Sequence, residues 1–530
     1  MRVHPFRRSV PGFVVLAIMA GLTTVATSAA GDESTSATSS MPGTSTARAS
    51  QPVEPVTAII RPAKDGPWFV DSATGKRFTP FGINYTPREV QVSRRGVTRE
   101  NWVQFDAPIT DRDCARMAAV GANVIRVFLS TRSFVTEQGG VPEESLKKAQ
   151  VLVAVAKKHG MRVIFGGPDW WEGESPLWPS GKYDTTGLYG PEQLESLERF
   201  WKSFAARFKD EPGVFSYSLR NEPMVPRQIP ETCWQDFLKR KYGTPEAAGK
   251  AWGQVIAQWS DCKRPEDVDK DGDAWLYDYQ LAREFVAYTW ARRQVEAIRS
   301  VDKNHMVTNG GIQWDVPLFR MFPSSPYGYD GFDPHNFAGL YDYTSIHWYD
   351  IRPDNMRDDQ VYLPLGERYF EGFLSYCRLG NKPLVLEEFP DVVMKNQAYS
   401  RSFYAHVSGA LIWEYLDISS PEGMSPWARD LLPEVRAKLE ARTPVSMDSP
   451  EVVAWPIEKK QLLTWYADPA TFRHNPDWKK RTGQEDWHDA GGYWIDHYGE
   501  LRNGGKTRIR FELKGEGPEF FDQMYRKQAD

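Results

Sequence analysis

Val214-Phe215-Ser216-Tyr217-Ser218-Leu219-Arg220-Asn221-Glu222-Pro223 is the stretch whose reading decides the fold. It follows a Pro212-Gly213 turn and opens with apolar, aromatic and small hydroxyl residues, the make-up of a short buried strand. Pro223 cannot donate to a sheet ladder, so it ends the strand and leaves Glu222 at its mouth. A carboxylate at the end of a buried strand is costly unless it has a partner or a task. Glu222 is therefore the first candidate for chemistry. A second strand of the same character lies downstream: Pro383-Leu384-Val385-Leu386-Glu387-Glu388-Phe389 also runs apolar and ends in acid.

Outward from these two, strands and helices alternate. Residues 68–71 and 76–78 flank Ser72-Ala73-Thr74-Gly75 and predict a hairpin by its turn chemistry. Phe81-Gly82-Ile83-Asn84 predicts a strand, residues 110–120 a helix capped by Thr110, and residues 123–129 a strand carrying Arg126. Apolar spacing then predicts helices near 146–156, 194–208, 281–298, 367–378, 397–407 and 427–441. Between them fall strands at 161–165, 305–308, 343–347 and 410–414, besides the two already quoted. Strict α/β alternation fits either an open doubly wound sheet or a closed (β/α)8 TIM barrel. Eight strands favour the barrel, and so do the acidic strand ends, because that fold gathers its reactive groups at the C-terminal ends of the strands.

The rest of the 530 residues divides by composition. Residues 1–30 read as an export signal: Arg2, Arg7 and Arg8 precede an apolar run, and Ser28-Ala29-Ala30 offers a cleavage point. A membrane anchor is the alternative, although the run is short and diluted by Gly and Thr. Residues 31–57 are Ser/Thr-rich without periodicity and read as a disordered linker. The barrel is expected over 58–442 with an insertion at 224–275, and a C-terminal accessory lobe over 443–530. A secreted or periplasmic location follows from the signal, with no membrane association once it is removed. The net charge of −5 supplies no basic field for nucleic acid.

Two features of the insertion suggest fixtures. In an exported chain four cysteines allow three pairings, and Cys233 with Cys262 share one irregular region, so that bridge is expected. Asp267, Asp269, Asp271 and Asp273, with Asp278 at the twelfth position, follow the ligand spacing of a calcium loop. A solvated acidic loop is the competing reading, because the closing residue is Asp and no preceding helix is evident. A calcium ion there would be structural. No cofactor is expected in catalysis.

Two carboxylates on facing strand ends suit hydrolysis of a glycosidic bond, one as general acid and the other as nucleophile. Arg126 is placed to hold the nucleophile charged, and Tyr349 to donate to it. Asn221 is placed to bond a sugar 2-hydroxyl. Side chains alternate along a strand, so one of Glu387 and Glu388 is expected to face the mouth, and Glu387 is the one expected to pair instead with a neighbouring cation. Trp170 and Trp171, on the loop beyond the third strand, are candidate sugar platforms.

At these residues the sequence resembles the cellulase family of retaining glycoside hydrolases, family five. The likeness spans about residues 68–442. It rests on the order of Phe81-Gly82-Ile83-Asn84, Gly121-Ala122-Asn123-Val124-Ile125-Arg126, Asn221-Glu222-Pro223, His347-Trp348-Tyr349, Glu387-Glu388-Phe389 and Trp413. The resemblance implies Glu222 as acid/base and Glu388 as nucleophile. It further implies Arg126, Asn221, His347 and Tyr349 as their support, with Trp413 under the sugar being cleaved. Departures are Gly166-Gly167-Pro168-Asp169 where the family places a His, and Pro390 where Gly commonly follows. The substrate implied is a β-linked polysaccharide or oligosaccharide of mannan or glucan type. A glycan-binding barrel without turnover and an exo-acting β-galactosidase-like relative are the alternatives.

Overall fold

The computed structural model describes residues 55–85, 102–103, 105–136, 139–169, 190–226, 228–264, 274–317, 329–349, 370–389, 392–395, 397–415, 426–464 and 508–527. The expected export signal, most of the linker, Trp170 and Trp171 lie outside these. So do Asp267, Asp269, Asp271 and Asp273.

Three short strands come first: β1 (Ile60–Pro62), β2 (Phe69–Asp71) and β3 (Arg77–Phe78), paired antiparallel. The β2–β3 turn forms as its residues dictate. Asp71 Oδ1 accepts from the amides of Ala73 (3.0 Å) and Thr74 (2.9 Å), and Gly75 takes a left-handed φ of 69°. β1 is an addition to the expected hairpin, since three residues ending in proline carry no readable alternation.

Eight parallel strands follow: β4 (Phe81–Asn84), β5 (Val124–Ser130), β6 (Arg162–Asp169), β7 (Val214–Asn221), β8 (Met306–Gly310), β9 (Thr344–His347), β10 (Leu384–Glu388) and β11 (Gly409–Ile412). Their hydrogen-bonded order is β8-β7-β6-β5-β4-β11-β10-β9. The first and last of them, β4 and β11, are thus neighbours, which requires the sheet to roll up on itself. The seam between β8 and β9 is joined by a bridge from Gly311 to Ile346. The Asp342 amide to Val307 O (2.9 Å) and the His347 amide to Gly311 O (2.8 Å) add to it. The architecture is a (β/α)8 barrel, and the open-sheet alternative falls.

The barrel interior is filled from below. Val124, Ile164, Phe215, Met306, Val385 and Leu411, one from each of six strands, pack with Tyr343, and Ile60 and Phe69 of the leading sheet close that end. With its lower half packed, the barrel keeps its polar interior residues for the C-terminal ends of the strands. The larger core lies between strands and outer helices, where Phe165, Phe200, Trp201, Phe204 and Tyr217 meet. The first helix runs Ala107–Ala119, three residues earlier than expected. Asp106 caps it by accepting from the Ile109 amide at 2.9 Å, while Thr110 bonds back to the Asp106 carbonyl.

In this region the expected disulfide is corrected, and Asp278 is engaged by protein groups. Cys233 and Cys262 are free thiols. Their segments are joined instead by Trp234, whose indole donates to the Cys262 carbonyl (2.9 Å) and stacks on Trp252 at 6.0 Å. Asp278 sits within the helix Ala274–Val301 and is no open ligand. Its carboxylate accepts from Lys241 Nζ (2.5 Å), Tyr242 OH (2.5 Å) and Trp252 Nε1 (2.8 Å).

Beyond residue 443, β12 (Val452–Glu458) pairs parallel with β13 (Arg508–Lys514), and the helix Pro518–Arg526 buries Phe521 and Met524. This segment is tied into the barrel by charge. Lys459 is fully buried, with Nζ 2.5 Å from Glu284 Oε2 and donating to Asn336 Oδ1 at 2.6 Å. Tyr329 OH donates to the other Glu284 oxygen. Removing one member of such a pair strands its partner in a low-dielectric core. Lys459→Ala should therefore cost about 3–5 kcal/mol in urea unfolding. An unchanged midpoint would mean the tail is a loose appendage.

Candidate active site

At the upper end of the barrel the sequence places a guanidinium in a strand that is otherwise apolar. Arg126 of β5 is fully buried, and a buried cation persists only if its donors are used. Nη1 donates to Asn84 Oδ1 (3.0 Å) at the end of β4 and to Glu388 Oε1 (2.6 Å) at the end of β10. Nη2 donates to Asn221 Oδ1 (2.9 Å) at the end of β7. Nε stands 3.4 Å from Glu387 Oε2. The guanidinium also lies over the Phe128 ring, 4.5 Å from its centre.

Glu387 and Glu388 thus both face Arg126, against the expectation from strand alternation. The register explains it. Leu386 pairs with Ile346 and Glu388 with His347, so two residues of β10 advance against one of β9. That is a β-bulge, which resets which face the side chains take. Glu388 Oε2 accepts from Tyr349 OH at 2.5 Å. Burial raises the Glu388 carboxyl above its ordinary value against the pull of His347 and Arg126, and the charge of Glu222 raises it further.

Glu222 follows β7 immediately. Among the described residues it is the one non-glycine with positive φ, 44°, a conformation costing roughly 1–3 kcal/mol. Its amide donates to Gly310 O at 2.7 Å, and Oε1 lies 2.8 Å from His347 Nδ1. Its side chain is 27% exposed, against 3% for Glu388. One oxygen of each carboxylate and a ring nitrogen of His347 lie within 4.8 Å of one another. That spacing suits direct displacement by one carboxylate and is too tight for the intervening water of an inverting pair, which needs about 6.5–9.5 Å.

His347 is buried among three carboxylates, with Glu388 Oε1 at 3.6 Å and Glu387 Oε2 at 3.7 Å besides Glu222. Burial pulls the imidazole down, but Glu388, Glu222 and Glu387 together push it up to about 9. At neutral pH this favours the imidazolium. For Tyr349, burial and Glu388 push the phenol well above its usual range, so it remains a donor.

Arg126, Asn221, Glu222, His347, Tyr349 and Glu388 therefore meet in one place. Trp413 stands at the rim, half-buried, 6.1 Å edge-on from Phe128. The sequence reading gave no role to two residues found here. Asn84 donates to the Glu387 and Ile412 carbonyls (2.9 and 3.0 Å) and accepts from Arg126. Gln313 holds Tyr349 by both backbone groups (2.6 and 3.0 Å). Glu387 sits under the pair and meets a cation, Arg126, as the sequence reading expected of it. Asn84 carried a signal, as a polar residue ending the first barrel strand. Gln313 opens a single 3-10 turn, Gln313–Asp315, after β8 and carried none.

Among curated proteins, the chain is 32% identical to a β-galactosidase of Bacillus subtilis over 124 residues, which is 21% of this chain and 18% of that protein. It is 20% identical to a mannan endo-1,4-β-mannosidase of Aspergillus clavatus over 275 residues, 51% of this chain and 50% of that protein. The chain thus spans half or less of the length of these relatives. Among solved structures, a β-galactosidase from Rahnella aligns with a TM-score of 0.60 at 16% identity, covering 82% of this chain and 65% of that one. This is a likeness of fold. A family model described as cellulase, glycosyl hydrolase family 5, matches residues 73–409, more than half of the chain, and the chain belongs to that family.

Proposed function

We propose that the chain is a retaining glycoside hydrolase acting on a β-linked glycan, with Glu388 as nucleophile and Glu222 as acid/base. One observation carries the reading: two carboxylates with oxygens within 4.8 Å and unlike surroundings. Glu388 is the buried one, held by a guanidinium and a phenol, which favour its ionised form. Glu222 is the more exposed one, open to a leaving group and to water.

In the first step Glu388 attacks the anomeric carbon, and the glycosidic C–O bond breaks as Glu222 gives its proton to the departing oxygen. In the second, Glu222 takes a proton from water, which displaces Glu388 and restores both groups. Asn221, fixed by Arg126, is placed for the sugar 2-hydroxyl, and Trp413 for the face of the sugar ring. A β-mannan is the favoured substrate, supported by the likeness to a mannan endo-1,4-β-mannosidase over 51% of the chain. An exo-acting β-galactosidase is the second reading, supported by the 32% identity over 124 residues to such an enzyme. The basic, apolar and small-residue order of residues 1–30 supports export. Among the described residues no helix is long and apolar enough to cross a membrane.

The test is hydrolysis of mannan, glucan, xylan and galactan followed by proton NMR. The product released first should carry the β anomer. An α anomer would refute double displacement, and inactivity on all four would favour a binding barrel. Glu222→Ala should lose about 10²–10⁴-fold in turnover on the natural glycan. Azide should restore turnover of an activated aryl glycoside by that variant, giving the β-glycosyl azide. Failure of azide to do so would assign the acid/base elsewhere.

A further inference from the structure

Glu387 is a buried acid beside the reaction centre that double displacement does not use. It has no exposed surface. Its Oε2 lies 3.4 Å from Arg126 Nε and 3.7 Å from His347 Nε2, so one oxygen stands between the two cations of the site. Arg126 and His347 in turn contact Glu388 and Glu222 at 2.6 and 2.8 Å. Two other features make room for this acid. The bulge in β10 turns it inward beside Glu388. Gly310 of β8 lacks the Cβ that would stand 2.7 Å from Arg126 Nη2 and 3.2 Å from Glu387 Oε2. Any larger residue at 310 would press on the contact.

We propose that Glu387 is a positioning residue of the reaction, a buried carboxylate that clamps Arg126 and His347 from beneath and through them sets the charge and place of Glu388 and Glu222. The proposal rests on the glycosidase reading for its catalytic meaning, but the clamp itself is a property of the fold. His347 faces Glu222 after β7 and Glu387 and Glu388 on β10. Of the other charged and titratable groups nearby, Asp315 after β8 faces Glu222, Tyr343 before β9 faces Glu387 and Arg126, and Tyr349 after β9 faces Glu388, Glu222 and Glu414. Of these, Glu388, Glu222 and Glu387 hold the imidazole up to about 9, and Glu387 is the one that never meets substrate. Although burial pushes the Glu387 carboxyl up, Arg126 and His347 bring it below the ordinary carboxylate range. Its partners thus favour the ionised form. With Arg126 and His347 positive and Glu387 and Glu388 negative, the charges balance, and a proton on Glu222 leaves the cluster neutral.

The sign of its effect is fixed. Removing one negative charge makes every remaining proton easier to lose. In Glu387→Gln the His347 midpoint should fall from near 9 by about one pH unit or more, the usual size for losing one charge at this distance. Both limbs of the kcat/KM profile should move acidward with it, because Glu388 ionises earlier and the acid's proton leaves earlier. KM should change less than threefold while kcat falls.

The experiment is an NMR titration of the full chain labelled with 15N-histidine, with His347→Gln assigning the resonance, alongside the pH–rate profile. A His347 midpoint that stays put in Glu387→Gln overturns the proposal, as does a loss of kcat with no displacement of the profile, which a merely structural role would give. If the parent hydrolyses no glycan, the titration still decides on the clamp, and only the glycosidase reading falls. If Glu387→Gln does not fold, Glu387→Asp replaces it. Drawing the charge back by one methylene should lower the midpoint by a smaller amount, and an unchanged midpoint there again overturns the clamp.

Discussion

The contact between Arg126 and the ends of β4, β7 and β10 is the constraint on which the site depends. A guanidinium removed from water must find planar acceptors on several sides. Here they come from strands more than two hundred and fifty residues apart in the chain, since Arg126 and Glu388 are 262 positions apart. The closed barrel supplies that convergence. Its lower interior is filled by apolar side chains and plugged by the leading sheet, which leaves only the upper layer for polar groups. Orientation of Glu388 is thus a by-product of satisfying one buried cation.

Around that contact the two acids acquire different characters. Glu388 is gripped by Arg126 and Tyr349 and shut away, whereas Glu222 hangs from a strained backbone position and touches His347 and solvent. The strain at Glu222 is tolerated because its amide is pinned to Gly310 across the neighbouring strand. The same β8 end gives up side-chain volume at Gly310 for Arg126 and Glu387. A glycine at the end of β8 therefore serves both halves of the site.

Much of this was legible from residues alone. Asn221-Glu222-Pro223 announces a strand that ends in acid, and Arg126 in an apolar strand announces a partner. Where the reading failed, the cause was non-local. Alternation cannot reveal the bulge that brings Glu387 beside Glu388, because a bulge is a relation between two strands. Asp278 follows a run of acids in sequence, yet its partners Lys241, Tyr242 and Trp252 come from helices of the insertion. Lys459 looks like an ordinary surface lysine until Glu284 is found opposite. The Thr110 cap misled because Asp106, just upstream, makes the stronger claim on the first turn.

The balance of charge under the crevice has a consequence for what can lie in it. Three carboxylates face two cations, and both cations are already committed to protein oxygens. A uronic acid in the cleavage position would bring another carboxylate toward Glu388 and Glu222 while Arg126 and His347 are already engaged, a repulsion of about 4 kcal/mol at 4 Å for an effective dielectric near 20. The charge balance of the described residues thus weighs against a carboxylated sugar at that position.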